Sequence, residues 1–304
     1  SATTAGGDDT GADTITGFDA GASADSIVLV TATGVTDFNH TTDVVFGTGT
    51  TAATSTGIIA DYAKNVLIFD MNGDGSAKTD NVDMAINMSS LVIDGVAVTT
   101  SAHYTTALTN IKADLVYNIT GTSAADTIVG GDGSDTVTGG EGADAITLGT
   151  GNDNVVFTGA AITSATAADT ITGFNATSAA GSLDKITFGS TFTGGYAFGS
   201  ADVSVEASNS IAADNSKDLI IVSNNVAGAG VASSFDDIMG AWSAAGNQYG
   251  VVIADDGTNA YIWYVNDSLD GDVTDVTATD VILIGTLSGV DVAGITAANF
   301  TASI

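Results

Sequence analysis

The chain has 304 residues, with five Lys and Arg against 36 Asp and Glu, which gives a formal net charge of −31 at pH 7. So acidic a chain argues against binding nucleic acid, which needs Lys and Arg to neutralise phosphates, and against docking on anionic lipid. Apolar residues make up 44% of the sequence but form no run long enough for a transmembrane helix, so we expect a folded core and no membrane insertion.

The sequence contains no Cys, no Pro and only two His, His40 and His103. Without Cys, the fold has neither disulfides nor thiolate metal ligands. No zinc-protease motif, nucleophile elbow or Walker loop occurs in the chain. We therefore expect a protein that is not an enzyme, with a glycosidase-like carboxylate pair as the alternative that so acidic a sequence leaves open.

Short β-branched segments bounded by Gly, Asn or Asp predict strands in the first third of the chain. These segments are Val28–Val30, Val44–Phe46 and Val66–Phe69. Residues Thr105–Lys112 follow as a candidate short helix. The first third is therefore predicted to be mainly β.

An acidic loop follows the third of these strands and has the spacing of metal ligands. Asp70, Asn72 and Asp74, followed by a glycine, match the first half of an EF-hand loop, in which alternate residues aim oxygen ligands at one ion. The twelfth position is Asn81 rather than Glu, so the bidentate ligand is missing, and Asp80 and Asp83 are candidate substitutes. Metal binding and a plain polar hairpin are both open for this loop.

Residues 121–156 form four blocks of nine: GTSAADTIV, GGDGSDTVT, GGEGADAIT and LGTGNDNVV. The sixth position of every block is aspartate: Asp126, Asp135, Asp144 and Asp153. The eighth position is always apolar: Ile128, Val137, Ile146 and Val155. Glycine permits a sharp turn with positive φ, and the apolar residue points inward because side chains alternate along a strand. A glycine-rich linker has no reason to keep aspartate and an apolar residue in phase over four blocks.

This pattern, GGxGxDxUx with U a large apolar residue, resembles the RTX repeat, which forms a calcium-binding parallel β-roll. The two middle blocks match fully, whereas the first lacks its second and third glycines and the fourth lacks its first. In that family each ion sits between one turn and the next but one, so the resemblance implies that Asp126 pairs with Asp144 and Asp135 with Asp153. It implies Ca²⁺ as the cofactor, with these ligand positions: Asp126, Gly130, Asp132, Asp135, Gly139, Glu141, Asp144, Gly149, Gly151 and Asp153.

The segments on either side of the repeat share a sequence pattern. ADTITGF occurs at residues 12–18 and again at 168–174, and each copy is followed by Asp-x-Ile, at 25–27 and 184–186. In each copy an apolar strand later runs into an acidic loop. The loop of the second copy contains Asp267, Asp270 and Asp272, whose looser spacing leaves metal binding open.

These features predict an all-β fold in which a short parallel β-roll lies between two related β-rich units. The predicted parts are residues 1–118, 119–157 and 158–304, with an insertion in the last part around 195–250. Further strands are predicted at Leu219–Val222, Val251–Ala254 and Val281–Ile284. Apolar residues at helical spacing predict one amphipathic helix over Ser234–Trp242.

The whole arrangement resembles the C-terminal regions of RTX proteins exported by type I secretion. The uncharged tail Gly294–Ile304 is similar to their uncleaved export signal, although a plain terminal strand would have the same composition. The resemblance predicts an extracellular, calcium-dependent structural protein of the bacterial cell surface, most like a surface-layer protein. It is expected to self-associate into a polymeric array, with a cell-surface polysaccharide as a further partner. The alternatives are the C-terminal region of an RTX exoenzyme or toxin, and a segment of a calcium-dependent adhesin.

Overall fold

The computed structural model describes only part of the chain. Backbone and side chains are described at 106–107, 109–111, 115–159, 167–177, 182–189, 219–223, 225–231, 250–266 and 280–301. The backbone alone is described at 13–16, 28–30, 37–39, 46–48, 57–61, 66–70, 84–89, 92–93, 96–97, 203–206 and 249.

The described residues are mostly short strands, which confirms the predicted all-β class. In the first part of the chain the strands are β1 (Asp13–Thr16), β2 (Val28–Val30), β3 (Asp37–Asn39), β4 (Phe46–Thr48), β5 (Gly57–Asp61), β6 (Val66–Asp70), β7 (Met84–Ser89), β8 (Val92–Ile93), β9 (Val96–Ala97) and β10 (Val116–Thr120). Through the repeats and beyond they are β11 (Thr127–Val129), β12 (Thr136–Thr138), β13 (Ala145–Thr147), β14 (Asn154–Phe157), β15 (Asp169–Thr172) and β16 (Lys185–Phe188). The remaining strands are β17 (Val203–Glu206), β18 (Leu219–Val222), β19 (Tyr249–Asp255), β20 (Asn259–Asn266), β21 (Val281–Ser288) and β22 (Phe300–Thr301).

Helix is scarce among the described residues. Two 3₁₀ turns, Val292–Gly294 and Ala297–Asn299, precede β22. Residues 106–107 and 109–111 are helical, within the predicted short helix. The amphipathic helix predicted at Ser234–Trp242 lies outside the described residues. None of the described helices is long and apolar enough to cross a bilayer.

The nonapeptide blocks fold as the alternation of side chains predicts. Each of the first three blocks gives a three-residue strand, β11, β12 and β13, whose central side chain is buried while its neighbours are not. The apolar residues at the eighth position of the blocks are at most 1% exposed: Ile128, Val137, Ile146 and Val155. The apolar residue at the eighth position of every block therefore lies in the interior of the roll.

The chain divides into two compact units. The first comprises Ser1–Val30, Phe38–Asn118 and Val129–Ser134, and the second Thr31–Asp37, Ile119–Ile128 and Asp135–Ile304. In the first unit the strand order is β1-β7-β6-β5-β4. The three strands β5, β6 and β7 are antiparallel, and β1 and β4 add to them in parallel at the two ends. The predicted division into 1–118, 119–157 and 158–304 stays a prediction.

The second unit contains two runs of strands that pass through the repeats. One run, β12-β14-β16-β22, is parallel throughout. The other has the order β17-β18-β19-β20-β21-β15-β13-β11. Here β13, β15 and β21 are parallel, β19, β20 and β21 are antiparallel, and β17 and β18 add in parallel. The parallel pairing of the repeats therefore continues past the last repeat, into β15, β16, β21 and β22.

The backbone topology carries the duplication that the sequence predicted. β1 and β15 have the same sequence, DTIT, and each pairs in parallel with the last strand of an antiparallel three-stranded meander. A further parallel strand, β4 or β18, joins the first strand of each meander. The two units are thus versions of one strand arrangement.

Aromatic and aliphatic packing stabilises the second unit. Three rings stack along the parallel run, with centroids 5.8 Å apart for Phe157 and Phe188 and 6.4 Å apart for Phe188 and Phe300. A second apolar cluster covers the meander, where the Trp263 indole N–H donates to the carbonyl of Ala229 at 2.8 Å. The strands after the repeats are therefore held by side-chain packing as well as by the backbone.

Candidate metal site

Six buried aspartates form two columns, one along each run of parallel strands. The first aspartate column is Asp126, Asp144 and Asp169, which stand just before β11, just before β13 and at the start of β15. The second aspartate column is Asp135, Asp153 and Asp184, which stand just before β12, β14 and β16. All six are at most 4% exposed. Lys, Glu, Arg and Asp are rarely this buried unless they are paired, so such columns need a physical reason.

Repeating hydrogen bonds hold the first aspartate column. The backbone N–H of Asp126 donates to Oδ1 of Asp144 at 2.8 Å, and the N–H of Asp144 donates to Oδ1 of Asp169 at 3.1 Å. A second bond joins the same coils through the backbone alone. The N–H of Ala145 donates to the backbone carbonyl of Asp126 at 2.9 Å, and the N–H of Thr170 donates to the backbone carbonyl of Asp144 at 2.8 Å. Each step therefore has one bond to a carboxylate and one to a backbone carbonyl.

The second aspartate column repeats this geometry. The N–H of Asp135 donates to Oδ1 of Asp153 at 2.8 Å, and the N–H of Asp153 donates to Oδ1 of Asp184 at 2.9 Å. The backbone N–H of Asn154 donates to the backbone carbonyl of Asp135, and that of Lys185 donates to the carbonyl of Asp153, both at 2.7 Å. The structure thus brings together the pairs that the resemblance implied, Asp126 with Asp144 and Asp135 with Asp153.

The glycines of the loops leave room for the carboxylates. Gly140 and Gly142 have φ of 117° and 111°, where a side chain would be strained. A Cβ at Gly139 would collide with Oδ2 of Asp144. A residue larger than glycine at position 139 would therefore displace the carboxylate of its own loop.

The first block departs from the pattern, and its carboxylate has different partners. In GTSAADTIV, both the backbone N–H and the hydroxyl of Thr122 donate to the carboxylate of Asp126. Oδ2 of Asp126 is therefore satisfied within its own loop. By contrast, Oδ2 of Asp144 and Oδ2 of Asp153 are buried and have no hydrogen-bond partner. Buried oxygens without partners are costly, and a bound cation is one way to satisfy them.

Burial changes the ionisation of these carboxyl groups. It is the main cause that raises the pKa of Asp153, to about 8, and the charges of Asp184 and Asp135 add to the effect. Burial also raises the pKa of Asp144, Asp169 and Asp184. A nearby divalent cation would favour the ionised form instead. Protons and a cation therefore compete for the same oxygens.

The other predicted ligand positions divide into described and undescribed ones. Gly130 and Gly139 are buried, Gly151 is half-buried, and Asp132, Glu141 and Gly149 are exposed. Asp70 ends β6. Asn72, Asp74, Asp80, Asp267, Asp270 and Asp272 lie outside the described residues, so metal binding by those two loops stays a prediction. Within the part of the chain that the structure describes, no three acidic or histidine side chains converge on one point.

Sequence reasoning missed Asp169 and Asp184 as members of the columns. Both carry the Asp-x-apolar signal of the repeat, through Ile171 and Ile186, whose side chains are fully buried. Their spacing hid them, because they follow their partners Asp144 and Asp153 by 25 and 31 residues, whereas pairs inside the repeats are 18 apart. A search for Asp-x-Ile with variable loop length would have found them.

Residues 120–155 match the family model of the RTX calcium-binding nonapeptide repeat, in four copies. No curated protein matches the chain. RTX nonapeptide repeats bind Ca²⁺, the cofactor predicted from the sequence, and proteins that carry them are typically secreted. Ca²⁺ takes carboxylate and carbonyl oxygens as ligands, and the buried, partnerless oxygens of Asp144 and Asp153 fit such an ion.

Proposed function

We propose that the chain is an extracellular, calcium-dependent structural protein that self-assembles into a surface layer, matrix or filament on the bacterial cell. The observation that carries this proposal is the pair of buried aspartate columns, which run through the repeats and into the strands that follow. A bound cation would thereby stabilise the repeats and the strands paired with them. In this proposal the protein has no enzymatic role.

Calcium acts as the folding signal in this proposal. An ion that binds only the folded chain stabilises it by RT ln(1 + [L]/Kd), which is about 1.4 kcal/mol per site at ten times Kd. Extracellular calcium sites typically have Kd of about 10⁻⁴ to 10⁻³ M. The net charge of −31 opposes compaction in the absence of calcium. A chain that is only marginally stable in the calcium-poor cytosol can unfold there, pass through a type I secretion channel and fold outside.

The ends of the strand runs supply the means of assembly. Among the described strands of the second unit, β17 and β22 each stand at the end of a run. Strand edges present unpaired N–H and C=O groups, which monomeric proteins commonly protect with Lys or Pro. The sequence has no Pro and only five Lys and Arg. Repulsion between acidic chains, which acts over about 8–10 Å at ordinary salt, keeps such edges apart until calcium neutralises it.

Light scattering and negative-stain microscopy of the full chain test this proposal. Millimolar Ca²⁺ should trigger association into ordered sheets or filaments through head-to-tail contacts that need not close. Mg²⁺ at the same concentration is the control for simple charge screening and should not trigger ordered assembly. A folded chain that remains monomeric at high concentration in millimolar Ca²⁺ would contradict the structural role.

The alternative function is the calcium-binding C-terminal region of an RTX exoenzyme or toxin. The observation that favours it is that the parallel pairing continues from the repeats into β16 and β22, as expected for a repeat region followed by further strands. Such a region should fold with calcium and remain a monomer, as should a segment of a calcium-dependent adhesin. If the assembly reading holds, a cell-surface polysaccharide is the expected anchoring partner.

A further inference from the structure

The loop of the first nonapeptide block differs in sequence from the other three. The second and fourth positions are glycine in every later block, but in the first block they are Thr122 and Ala124. In the third block these glycines, Gly140 and Gly142, have φ of 117° and 111°. Residues with a side chain rarely adopt such a backbone, and β-branched residues least of all. The first loop therefore lacks the residues that give the third loop its conformation.

Thr122 closes the first loop with hydrogen bonds instead. Its backbone N–H donates to Oδ2 of Asp126 at 2.5 Å, and its hydroxyl donates to the same carboxylate at 3.0 Å. The hydroxyl also accepts the N–H of Ala124 at 3.1 Å. The carbonyl of Thr122 accepts the N–H of Glu141, in the loop of the third block, at 3.1 Å. Every polar group of Thr122 is therefore bonded to another group of the chain.

The carboxylate of Asp126 differs in this respect from those of Asp144 and Asp153. Asp126 is 3% exposed, and both of its oxygens accept hydrogen bonds from Thr122. Oδ2 of Asp144 and Oδ2 of Asp153 are buried and have no hydrogen-bond partner. Hydrogen bonds from N–H and O–H donors to an ionised carboxylate are strong and can hold its charge. The donors of Thr122 therefore do for Asp126 what a cation would do for the other two carboxylates.

We propose that Thr122 takes the place of a cation at the start of the first aspartate column, so that Asp126 is not a calcium ligand. The resemblance to the repeat implied a ligand at this position, and the hydrogen bonds of the first loop do not fit that role. The calcium-dependent part of the first column then begins at Asp144. This inference rests on calcium binding by the later blocks in the proposed function, and it names the coil that takes no part.

Two matched variants of the full chain, Asp126→Asn and Asp144→Asn, test this assignment. Asparagine keeps a side-chain oxygen to accept a backbone N–H, but it removes the charge that a calcium ligand supplies. In isothermal titration with CaCl₂ after removal of calcium, D126N should bind the same number of ions as the wild type, whereas D144N should bind one ion fewer. Selective loss of one ion in D126N would overturn the proposal. An unchanged titration of D144N would overturn the calcium-dependent start at Asp144.

A double variant tests whether Thr122 excludes an ion. Thr122→Gly with Ala124→Gly restores the nonapeptide pattern of the first block and removes the hydroxyl that binds Asp126. This variant should bind one ion more than the wild type in the same titration. The matched control is Ser123→Gly, which adds a glycine at an exposed position of the same loop, leaves Thr122 in place and should bind the wild-type number of ions. An unchanged number of ions in the double variant would contradict the role of Thr122.

Urea denaturation of Thr122→Val separates a hydrogen-bonding hydroxyl from a metal-binding one. Valine keeps the branching of the side chain but removes the hydroxyl. The midpoint of unfolding should fall by the same amount in EDTA and in saturating Ca²⁺, because the lost bonds join groups of the protein. A fall confined to Ca²⁺ would make the hydroxyl a ligand and refute the proposal.

These experiments also distinguish the role of Thr122 from the proposed function. A wild-type chain that binds no Ca²⁺ would overturn the calcium-dependent function itself. A wild-type chain that binds Ca²⁺ without associating would overturn the proposed assembly alone. A D126N chain that loses one ion while it still assembles in Ca²⁺ would overturn the role of Thr122 alone.

Discussion

Without calcium, the stability of the roll should fall as pH rises from 5 to 8, opposite to the usual behaviour of ion-paired carboxylates. The reason is that burial raises the pKa of Asp153 to about 8, against its ordinary value of 3.8. The folded chain therefore holds a proton on Asp153 that the unfolded chain releases. This contribution to stability is fully present below pH 3.8 and is lost as pH rises through about 8.

The expected magnitude follows from the proton difference. While a carboxyl group is protonated in the folded chain and ionised in the unfolded chain, the free energy of unfolding falls by about 1.4 kcal/mol per pH unit. Water that reaches the group screens its charge and reduces this value. We therefore expect Asp153 to contribute a decrease on the order of 1 kcal/mol per pH unit. Calcium should reverse the trend, because its ligands must be ionised.

Urea denaturation followed by circular dichroism at pH 5, 6, 7 and 8, in EDTA and in millimolar Ca²⁺, measures both slopes. Asp153→Asn should make the slope in EDTA shallower, because one of the four carboxyl groups whose pKa is raised by burial is absent. The matched control is Asp256→Asn. A backbone hydrogen bond from Asn259 lowers the pKa of Asp256, so this carboxyl group stays ionised from pH 5 to pH 8. Its replacement should therefore leave the pH slope in EDTA unchanged. Apo stability that increases from pH 5 to pH 8, or a slope that Asp153→Asn leaves unchanged, would refute the reasoning.

Five further variants test separate parts of the structure. Asp135→Ala and Asp144→Ala each remove a carboxylate from a different column, so isothermal titration should show the loss of different calcium sites, and identical titrations would contradict the two-column arrangement. Gly139→Ala places a Cβ against the carboxylate of Asp144 and should weaken calcium binding about tenfold or more, by about 1.4 kcal/mol. Gly289→Ala is the control for Gly139→Ala. Gly289 has φ of 75°, and a Cβ there would have no neighbour within 4 Å. The substitution should cost about 1–2 kcal/mol of stability through backbone strain and leave the calcium affinity unchanged in the same titration. Phe188→Ala removes the middle ring of the aromatic stack and should lower the free energy of unfolding in calcium by about 3–5 kcal/mol. Urea denaturation measures this loss. A loss below about 1 kcal/mol would mean that the stack contributes little to stability.

The sequence predicted the roll because its signal is strictly periodic. Aspartate and an apolar residue recur every nine positions, so the buried face and the strand centres follow from one register. The pairing of Asp126 with Asp144 came from the resemblance to the RTX repeat. The predicted strands Val28–Val30 and Leu219–Val222 match β2 and β18. The predicted strands Val66–Phe69, Val251–Ala254 and Val281–Ile284 lie within β6, β19 and β21. Of the predicted strand Val44–Phe46, only Phe46 is described, as the first residue of β4.

What the sequence did not predict depends on pairing between distant segments. Asp169-Thr-Ile171 was interpreted as part of a duplicated flank, whereas the structure also makes it a further coil of the roll. The loops before Asp169 and Asp184 are longer than those of the repeats, so the period is broken although the stacking continues. The third ring of the aromatic stack, Phe300, lies more than a hundred residues from its neighbour Phe188, and no local pattern reports such a contact.

Backbone amide exchange at the aspartates of the columns tests the central claim most directly. The N–H groups of Asp126, Asp135, Asp144 and Asp153 each donate to the carboxylate of the next aspartate in the column. Their hydrogen exchange, measured by NMR at pH 7.5 in millimolar Ca²⁺ and again in EDTA, reports whether the columns form. The account predicts strong protection of all four amides in calcium and much weaker protection after chelation, when the roll is only marginally stable. Equal protection of these amides in calcium and in EDTA would contradict a calcium-dependent roll.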